Sequence, residues 1–265
     1  MTTSIRTVAV FGGVYNNYLS LEATLEDARD AGADAIYCLG DMGGFGPYPD
    51  RVFPYLRDTS DVFVMQGNYD QSIGNRLEDC GCGYTDPRDN HFAQISYDYT
   101  FENTSETHKD WLAELPEKYE RQWAGLDVRM AHGSPRTINE FLWESTSPDP
   151  FLDRMLDECG ADLLFVTHTG IPWRRELPSG RRVVNVGAIG RPPNDGTTKV
   201  DYFLAHIDDD GVEIERRRVG YDHERLADEV RQVGLPDEFA ETLETGWWTT
   251  CTGSMPPKER AQGPF

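Results

Sequence analysis

Short apolar runs recur along the chain, and each of them stops at a glycine or a polar residue. The first run, residues 7–11, is rich in valine and is followed by Gly12 and Gly13. Runs of this length between turn residues are typical of buried β-strands. The pattern predicts strands of this kind at residues 7–11, 35–39, 61–65, 127–131, 162–166 and 182–185.

Helical spacing follows the first strand, because Leu21, Leu25 and Ala28 recur at intervals that predict a helix over residues 19–31. Strands that alternate with helices favour a mostly parallel, buried sheet in an α/β protein. In such sheets the loops at the carboxyl ends of the strands meet at one crevice. The later part of the chain predicts a β-hairpin of residues 199–207 and 211–219, and helices over 223–233 and 237–243.

The length of the chain, 265 residues without a Ser-, Gly- or Pro-rich linker in the first 220, predicts one large domain. We predict that residues 1–220 form this domain and that residues 221–265 form a helical C-terminal extension and tail that pack on it. The tail contains Trp247 and Trp248. Three positions of this tail are consistent with the sequence: over a functional site, on a neighbouring subunit or on its own sheet. We favour the last.

The charge of the chain narrows the choice of partners. The formal net charge is −21 and the pI is about 4.5. Because nucleic acids and anionic membranes are bound through Lys and Arg, this charge argues against a nucleic-acid or membrane partner. The expected partner is a small-molecule substrate, and a homo-oligomer is left open. With only four lysines against 46 acidic residues, we hypothesise an acidic protein adapted to a halophilic host.

The compartment is predicted from the N-terminal sequence and the cysteines. Residues 1–10 show no signal-peptide pattern, and no stretch of about 20 apolar residues occurs, which predicts a cytoplasmic protein. The five cysteines are scattered, which predicts reduced thiols rather than a disulfide framework. For the neighbouring Cys80 and Cys82, binding of a soft metal or a redox role is an open alternative.

Potential metal ligands stand at the ends of four predicted strands: Asp41, Asn68, His132 and His168. Because the loops at these ends converge, we expect the four side chains to lie close together. Carboxylate, amide and imidazole donors together suit a first-row divalent ion such as Zn²⁺, Mn²⁺ or Fe²⁺. Each residue alone is also a common turn or structural residue, so the prediction depends on all four occurring at corresponding places.

The order of these motifs resembles the calcineurin-like metallophosphoesterase superfamily, especially its small prokaryotic branch. The resemblance spans about residues 7–205 of the chain. The matching segments, each of which follows a predicted strand, are Gly40-Asp41, Gly67-Asn68-Tyr69-Asp70, Ala131-His132-Gly133, Thr167-His168-Thr169-Gly170 and residues 185–190.

This resemblance implies a fold and a chemistry. The implied fold is a four-layer αββα sandwich of the α/β class, in which helices flank two mixed β-sheets. The implied chemistry uses two metal ions and a bridging hydroxide that attacks a phosphoester, since two cations stabilise both the nucleophile and the leaving group. Carried over by position, Asp41 is the bridging carboxylate. Asn68, His132 and His168 complete the ligands of the second metal.

The family's ligands of the first metal are missing from this sequence. Its Asp-x-His motif falls at Gly13-Val14-Tyr15, and the second histidine of its Gly-His-Thr-His motif is replaced by Gly170. The histidine that the family places beside the phosphate is Tyr69 here. Asp70, which would orient that histidine, is retained. The resemblance therefore implies a changed metal site.

Three functions are consistent with such a site. The favoured one is a metal-dependent hydrolase that uses one ion on a small phosphoester or related metabolite, with Tyr69 and Asp70 as catalytic residues. Tyr15, Asn16 and Asn17 would then form the substrate pocket. A second keeps two ions by recruiting Tyr15, Asn16 or Tyr69, with tyrosinate favouring ferric iron. A third is a catalytically inactive pseudo-phosphatase that binds a ligand or a partner.

Overall fold

A computed structural model describes residues 6–261 of the chain, so that residues 1–5 and 262–265, the outer ends of the two predicted segments, lie outside the described residues. The strands within it are β1 (Thr7–Phe11), β2 (Ala35–Cys38), β3 (Val62–Val64), β4 (Lys118–Trp123), β5 (Leu126–Ala131), β6 (Leu163–Val166), β7 (Trp173–Glu176), β8 (Arg182–Asn185), β9 (Val200–Asp208) and β10 (Gly211–Val219).

These strands form two five-stranded sheets with the orders β10-β9-β1-β2-β3 and β4-β5-β6-β8-β7. In the first sheet β1, β2 and β3 are parallel, whereas β9 and β10 are antiparallel to their neighbours. In the second sheet β5, β6 and β8 are parallel, and β4 and β7 are antiparallel edge strands. The alternating pattern therefore predicted the parallel neighbours, but the single, mostly parallel sheet that it favoured is in fact two mixed sheets.

The helices are α1 (Tyr18–Asp30), α2 (Phe53–Arg57), α3 (Asn68–Gly74), α4 (Pro87–Asn103), α5 (Glu106–Ala113), α6 (Asp149–Cys159), α7 (His223–Gln232), α8 (Asp237–Thr245) and α9 (Pro257–Arg260). The predicted helices correspond to α1, α7 and α8. The long helix α4 was not predicted, because its apolar residues are interrupted by polar ones along the whole helix.

Four layers follow from the two faces of each sheet. In β1, Val8 and Val10 pack in a core that also contains Phe165 of the second sheet, so this core lies between the sheets. The alternate residues of β1, Ala9 and Phe11, pack against α1, α7 and α8. On the outer face of the second sheet, β6 and β8 pack against α6. The order of layers is helix, sheet, sheet, helix, as the resemblance implied.

The C-terminal segment shares the core of the first sheet. Leu226 and Val230 of α7 and Phe239 of α8 belong to the same buried cluster as Phe11. The division at residue 220 stays a prediction. Within the described part of the chain, no helix combines the length and the apolarity needed to cross a membrane.

Two of the five cysteines differ from the predicted reduced state. Cys80 and Cys82 form a disulfide across Gly81, whereas Cys38, Cys159 and Cys251 are free thiols. The prediction of reduced thiols is therefore wrong for Cys80 and Cys82. The prediction treated all five cysteines as one scattered set, and it therefore missed the pairing of these two neighbours.

Candidate metal centre

The predicted ligands follow strands from both sheets. Asp41 follows β2 and Asn68 opens α3 after β3, whereas His132 and His168 follow β5 and β6. Each of these strands has a parallel neighbour in its sheet. The site therefore lies where the carboxyl ends of the two sets of parallel strands meet.

The loops that carry Asp41 and Asn68 approach closely. A Cβ atom at Gly40, where φ is +89°, would lie 2.1 Å from Gly67 N, so a larger residue does not fit between these loops. Asp41 and His168 have φ values of 57° and 54°, in the left-handed region that non-glycine residues seldom adopt. Backbone of this kind concentrates at functional sites, where the surrounding structure holds it in place.

The donor atoms of three predicted ligands converge. His132 Nε2 lies 3.2 Å from Asp41 Oδ2 and 3.2 Å from His168 Nδ1. One donor atom from each of the three residues lies within 4.8 Å of the others. The side chains are almost fully buried, with exposed fractions of 3% for Asp41, 1% for His132 and 7% for His168.

A backbone carbonyl determines which ring nitrogen of His132 carries the proton. Its Nδ1 lies 2.7 Å from Leu39 O, and a carbonyl oxygen only accepts hydrogen bonds, so Nδ1 carries the proton. In the neutral ring, the lone pair of Nε2 then points toward Asp41 and His168. Metal-bound histidines are commonly held in this way by a carbonyl on their other nitrogen. A cation would satisfy the lone pairs that meet at this point.

The pKa values of the cluster reflect these contacts. Burial is the largest single effect on the pKa of Asp41 and acts to raise it, but the charges of His132 and His168 and the hydrogen bonds to the carboxylate together outweigh it, so the pKa lies below its ordinary value. Burial is the largest single effect on the pKa of His132 and acts to lower it, but the Asp41 carboxylate together with Leu39 O and smaller effects outweighs burial, so the pKa is raised. Burial and the charge of His132 lower the pKa of His168 to about 3. The His168 ring is therefore neutral near pH 7 and keeps a lone pair.

Asn68 lies beside the same cluster. The N–H of the next residue, Tyr69, donates to Asp41 Oδ1 at 3.1 Å. The Asn68 amide nitrogen donates to Cys80 O at 2.9 Å and to Cys82 Sγ at 3.4 Å. Its oxygen Oδ1 is buried and has no hydrogen-bond partner within residues 6–261. A buried acceptor without a partner is unfavourable by about 1–3 kcal/mol, and a bound cation would remove this penalty.

Residues 7–210 match the family described as the calcineurin-like phosphoesterase superfamily domain. The chain belongs to this superfamily. Membership implies the use of divalent metal, for which the Asp41, His132 and His168 cluster is the candidate site.

Similar proteins support the fold over nearly the whole chain. A hypothetical protein from Pyrococcus horikoshii OT3 has a TM-score of 0.76 at 24% identity, covering 92% of this chain and 99% of its own. A metallophosphoesterase from Sphaerobacter thermophilus has a TM-score of 0.72 at 25% identity, covering 92% and 100%. An uncharacterised protein from Methanocaldococcus jannaschii is 27% identical over 253 residues, 90% of this chain and 98% of its own. The predicted superfamily and its four-layer fold are confirmed.

Asp70, a predicted catalytic residue, holds the loops of this phosphoesterase-like site together. Its Oδ2 accepts hydrogen bonds from Asp41 N at 2.7 Å and from Gly67 N at 2.8 Å. Its Oδ1 accepts from Met42 N at 3.0 Å. Burial and then the charge of Asp41 raise the pKa of Asp70 to about 7. Its contacts are those of a positioning residue, which fixes the backbone that presents Asp41.

Tyr69, the second predicted catalytic residue, directs its hydroxyl group toward α4. The hydroxyl lies 3.3 Å from Ala93 O and 3.2 Å from Ser96 Oγ. Burial raises the pKa of Tyr69 well above its ordinary value, so the group is a weaker acid than free tyrosine. These contacts do not support proton donation to a leaving group, which stays a prediction.

The predicted substrate pocket is occupied by internal contacts. Asn17 caps α1, because its Oδ1 accepts from Ser20 N at 2.9 Å and its Nδ2 donates to Gly190 O at 3.1 Å. Asn16 donates to Gly46 O at 3.0 Å. Tyr15 is 3% exposed. The predicted contact of these residues with substrate gains no support from their surroundings.

Residues that the sequence did not single out as site residues line the candidate centre. The ring of Phe141 lies 4.4 Å from that of His168, and Trp143 stacks on Phe141 with a centroid distance of 5.4 Å. Beyond Gly170, the side chains of Arg191 and Trp248 fill the neighbouring space. Arg191 directly follows the last matching motif, and Trp248 belongs to the aromatic tail. The sequence analysis raised the tail and left its packing over a functional site open, but it did not single out Arg191, whose position next to that motif was the available signal.

Proposed function

We propose that this phosphoesterase superfamily member hydrolyses a small phosphoester with one divalent ion held by Asp41, Asn68, His132 and His168. The observation that supports it most is the convergence of three buried donor atoms beside an amide oxygen that has no partner. When bound there, a divalent ion would lower the pKa of a water molecule and polarise a phosphoryl oxygen.

The protein's own contribution would be to fix the donors before the ion binds. Leu39 O orients His132, and the Asp70 carboxylate fixes the backbone on either side of the site at Asp41 and Gly67. Burial excludes bulk water, which strengthens the interaction of these groups with an ion. Such preorganisation is what a metal site requires, since its ligand distances tolerate only about 0.2 Å of error.

One ion, rather than two, is supported by what occupies the remaining space. Gly13 and Gly170 carry no donor side chain. A Cβ atom at Gly13 would lie 3.0 Å from the Tyr15 hydroxyl oxygen, and one at Gly170 would lie 3.0 Å from the Trp248 ring. The two-ion alternative therefore has less support.

Turnover by metal-loaded protein tests the proposal. Wild type, His168→Ala and the control His206→Ala would be assayed with Mn²⁺ or Zn²⁺ on aryl phosphate monoesters and diesters. His206 is a matched control because it pairs with Glu215 at the surface, 3.0 Å from Oε2. We expect His168→Ala to lose at least about 10–100-fold in activity or metal affinity, the loss typical of residues that only orient a metal ligand, and the control to lose none. Full activity of His168→Ala would contradict the proposal.

The near-complete burial of the cluster favours a second candidate, a protein that binds a phosphorylated ligand without turnover. Asp41, His132 and His168 together expose little surface through which a product could leave. This candidate predicts that the metal-loaded protein binds phosphate but hydrolyses none of the monoesters and diesters in the same assay.

A further inference from the structure

Arg191 is a buried arginine whose charge has no partner in the described structure. Only 5% of its surface is exposed, and its Nε is buried without a hydrogen-bond partner within residues 6–261. The ion pairs of that part of the chain involve other basic residues, and none involves Arg191. Arginine is almost never fully buried unless it is paired, so this position calls for an explanation.

Aromatic rings surround the guanidinium group. Its central carbon lies 3.3 Å from the centroid of Trp248, 4.6 Å from that of Phe45 and 5.5 Å from that of Tyr15. Ring faces attract a cation, but they do not accept its N–H groups as oxygen atoms do. The rings therefore hold the guanidinium plane in one orientation and leave its donors available to an anion.

Backbone hydrogen bonds connect Arg191 to the candidate metal centre. Gly190 N donates to Gly13 O at 2.7 Å, and Gly13 N donates to Gly40 O at 3.0 Å. In the same loop Tyr15 N donates to Asp41 O at 3.1 Å. The loop of residues 13–15 thus bonds on one side to the residue before Arg191 and on the other to Asp41 itself.

The side of the centre next to His168 is also close to the guanidinium group. Gly170 lies two residues after His168, and a Cβ atom there would lie 3.7 Å from Arg191 Nη2. Burial has the largest effect on the pKa of Tyr15 and raises it, while the charge of Arg191 acts to lower it and that of Asp41 to raise it. Arg191 and Asp41 therefore both lie within electrostatic reach of the Tyr15 hydroxyl.

We infer that Arg191 binds the phosphoryl group of the ligand, on the side of the site next to His168, and so supplies a fixed positive charge next to the metal ion. The inference rests on the proposed function for the identity of the ligand. Asp41 is the one carboxylate among the proposed ligands of the divalent ion. The positive charges of the ion and of the guanidinium group therefore exceed the negative charge of the ligands. A planar guanidinium matches two oxygens of a phosphoryl group, and such bonds are among the strongest in proteins.

Trp248 acts as a positioning residue for Arg191. Its backbone N–H donates to Asn194 Oδ1 at 2.8 Å and its Nε1 donates to Pro192 O at 2.6 Å, so both bonds go to the segment that carries Arg191. Trp248 lies outside residues 7–210, which match the superfamily. The C-terminal tail therefore contributes to the anion-binding half of the site in this chain.

Titration of inorganic phosphate into the full-length, Mn²⁺-loaded protein tests the inference by calorimetry. Arg191→Met removes the charge at similar volume, Arg191→Gln is the second variant, and Arg57→Gln at an exposed position is the control. Metal content and melting temperature are measured on the same samples. We expect both Arg191 variants to keep their metal and to bind phosphate at least about tenfold more weakly than wild type, while the control binds normally.

The melting temperature without phosphate separates anion binding from a structural role. A buried charge without a partner is unfavourable, and an apolar side chain of similar volume removes that cost, so Arg191→Met should melt no lower than wild type. A lower melting temperature together with unchanged phosphate affinity would overturn the inference and show a structural cation–aromatic contact. So would the absence of phosphate binding by wild type at millimolar concentration.

The same samples distinguish this failure from failure of the proposed function. If wild-type protein fails to bind metal, the proposed function is contradicted. The effect of Arg191 is then judged from phosphate titrations of the metal-free proteins. Binding by wild type that Arg191→Met abolishes would retain the role of Arg191, whereas equal binding by both, or by neither, would overturn it.

Discussion

Substitution of Gly67 by alanine is a direct steric test of the site geometry. Gly67 has φ −95° and ψ −178°, which alanine adopts freely, so any effect arises from the added methyl group. This Cβ would lie 2.3 Å from Asp41 Oδ1 and 2.7 Å from His132 Cε1, whereas ordinary contacts begin near 3.4 Å. Asp41 would have to move by about 1 Å and His132 by somewhat less, well beyond the tolerance of about 0.2 Å in a metal site.

We expect Gly67→Ala to weaken metal binding by about 10–100-fold. Overpacking should also lower the free energy of unfolding by about 1–3 kcal/mol. Chelator competition measures the first quantity and urea denaturation of the metal-free protein the second. The matched control is Gly220→Ala, where the nearest atom to the new Cβ, Lys199 Cε, is 3.9 Å away. Metal affinity of Gly67→Ala within twofold of wild type would refute the geometry.

Three further predictions concern Tyr69, the cysteines and salt. Tyr69→Phe should keep its metal affinity, measured by chelator competition. It should lose about 1 kcal/mol in the free energy of unfolding, the value of a typical hydrogen bond, measured by urea denaturation. Weaker metal binding would contradict the observed contact of the Tyr69 hydroxyl with α4. Thiol titration of the denatured, unreduced protein should find three thiols, Cys38, Cys159 and Cys251, and five would contradict the disulfide. The free energy of unfolding should hold or rise with KCl, since salt screens repulsion within a chain of charge −21. A fall would count against adaptation to a halophilic host.

The strands were predictable because their physical signal is local. Runs such as residues 7–11 are apolar on both faces, and the observed bounds of the predicted strands agree within one residue. The edge strands β4 and β7 were missed, since their alternate residues are exposed and charged or polar. Division of the strands into two sheets depends on contacts between distant segments, which the alternation of strands and helices does not encode.

The candidate ligands were predictable for the same reason, because a strand end positions the residue that follows it. Asp41, His132 and His168 could be grouped without knowledge of side-chain directions. The expectation for Tyr69 required such knowledge, and its hydroxyl contacts a helix, α4, that the sequence pattern did not reveal. The contact of Arg191 with Trp248 likewise joins segments that are far apart in the chain.

Metal content per chain tests the central claim most directly. Protein purified without added metal would be measured by elemental analysis for wild type, His132→Ala and the surface control His206→Ala. The account predicts about one equivalent of a first-row divalent ion in wild type and in the control, and its loss in His132→Ala, because His132 Nε2 faces both Asp41 and His168. Two equivalents in wild type, or the same metal content in His132→Ala, would contradict a single ion held by these residues.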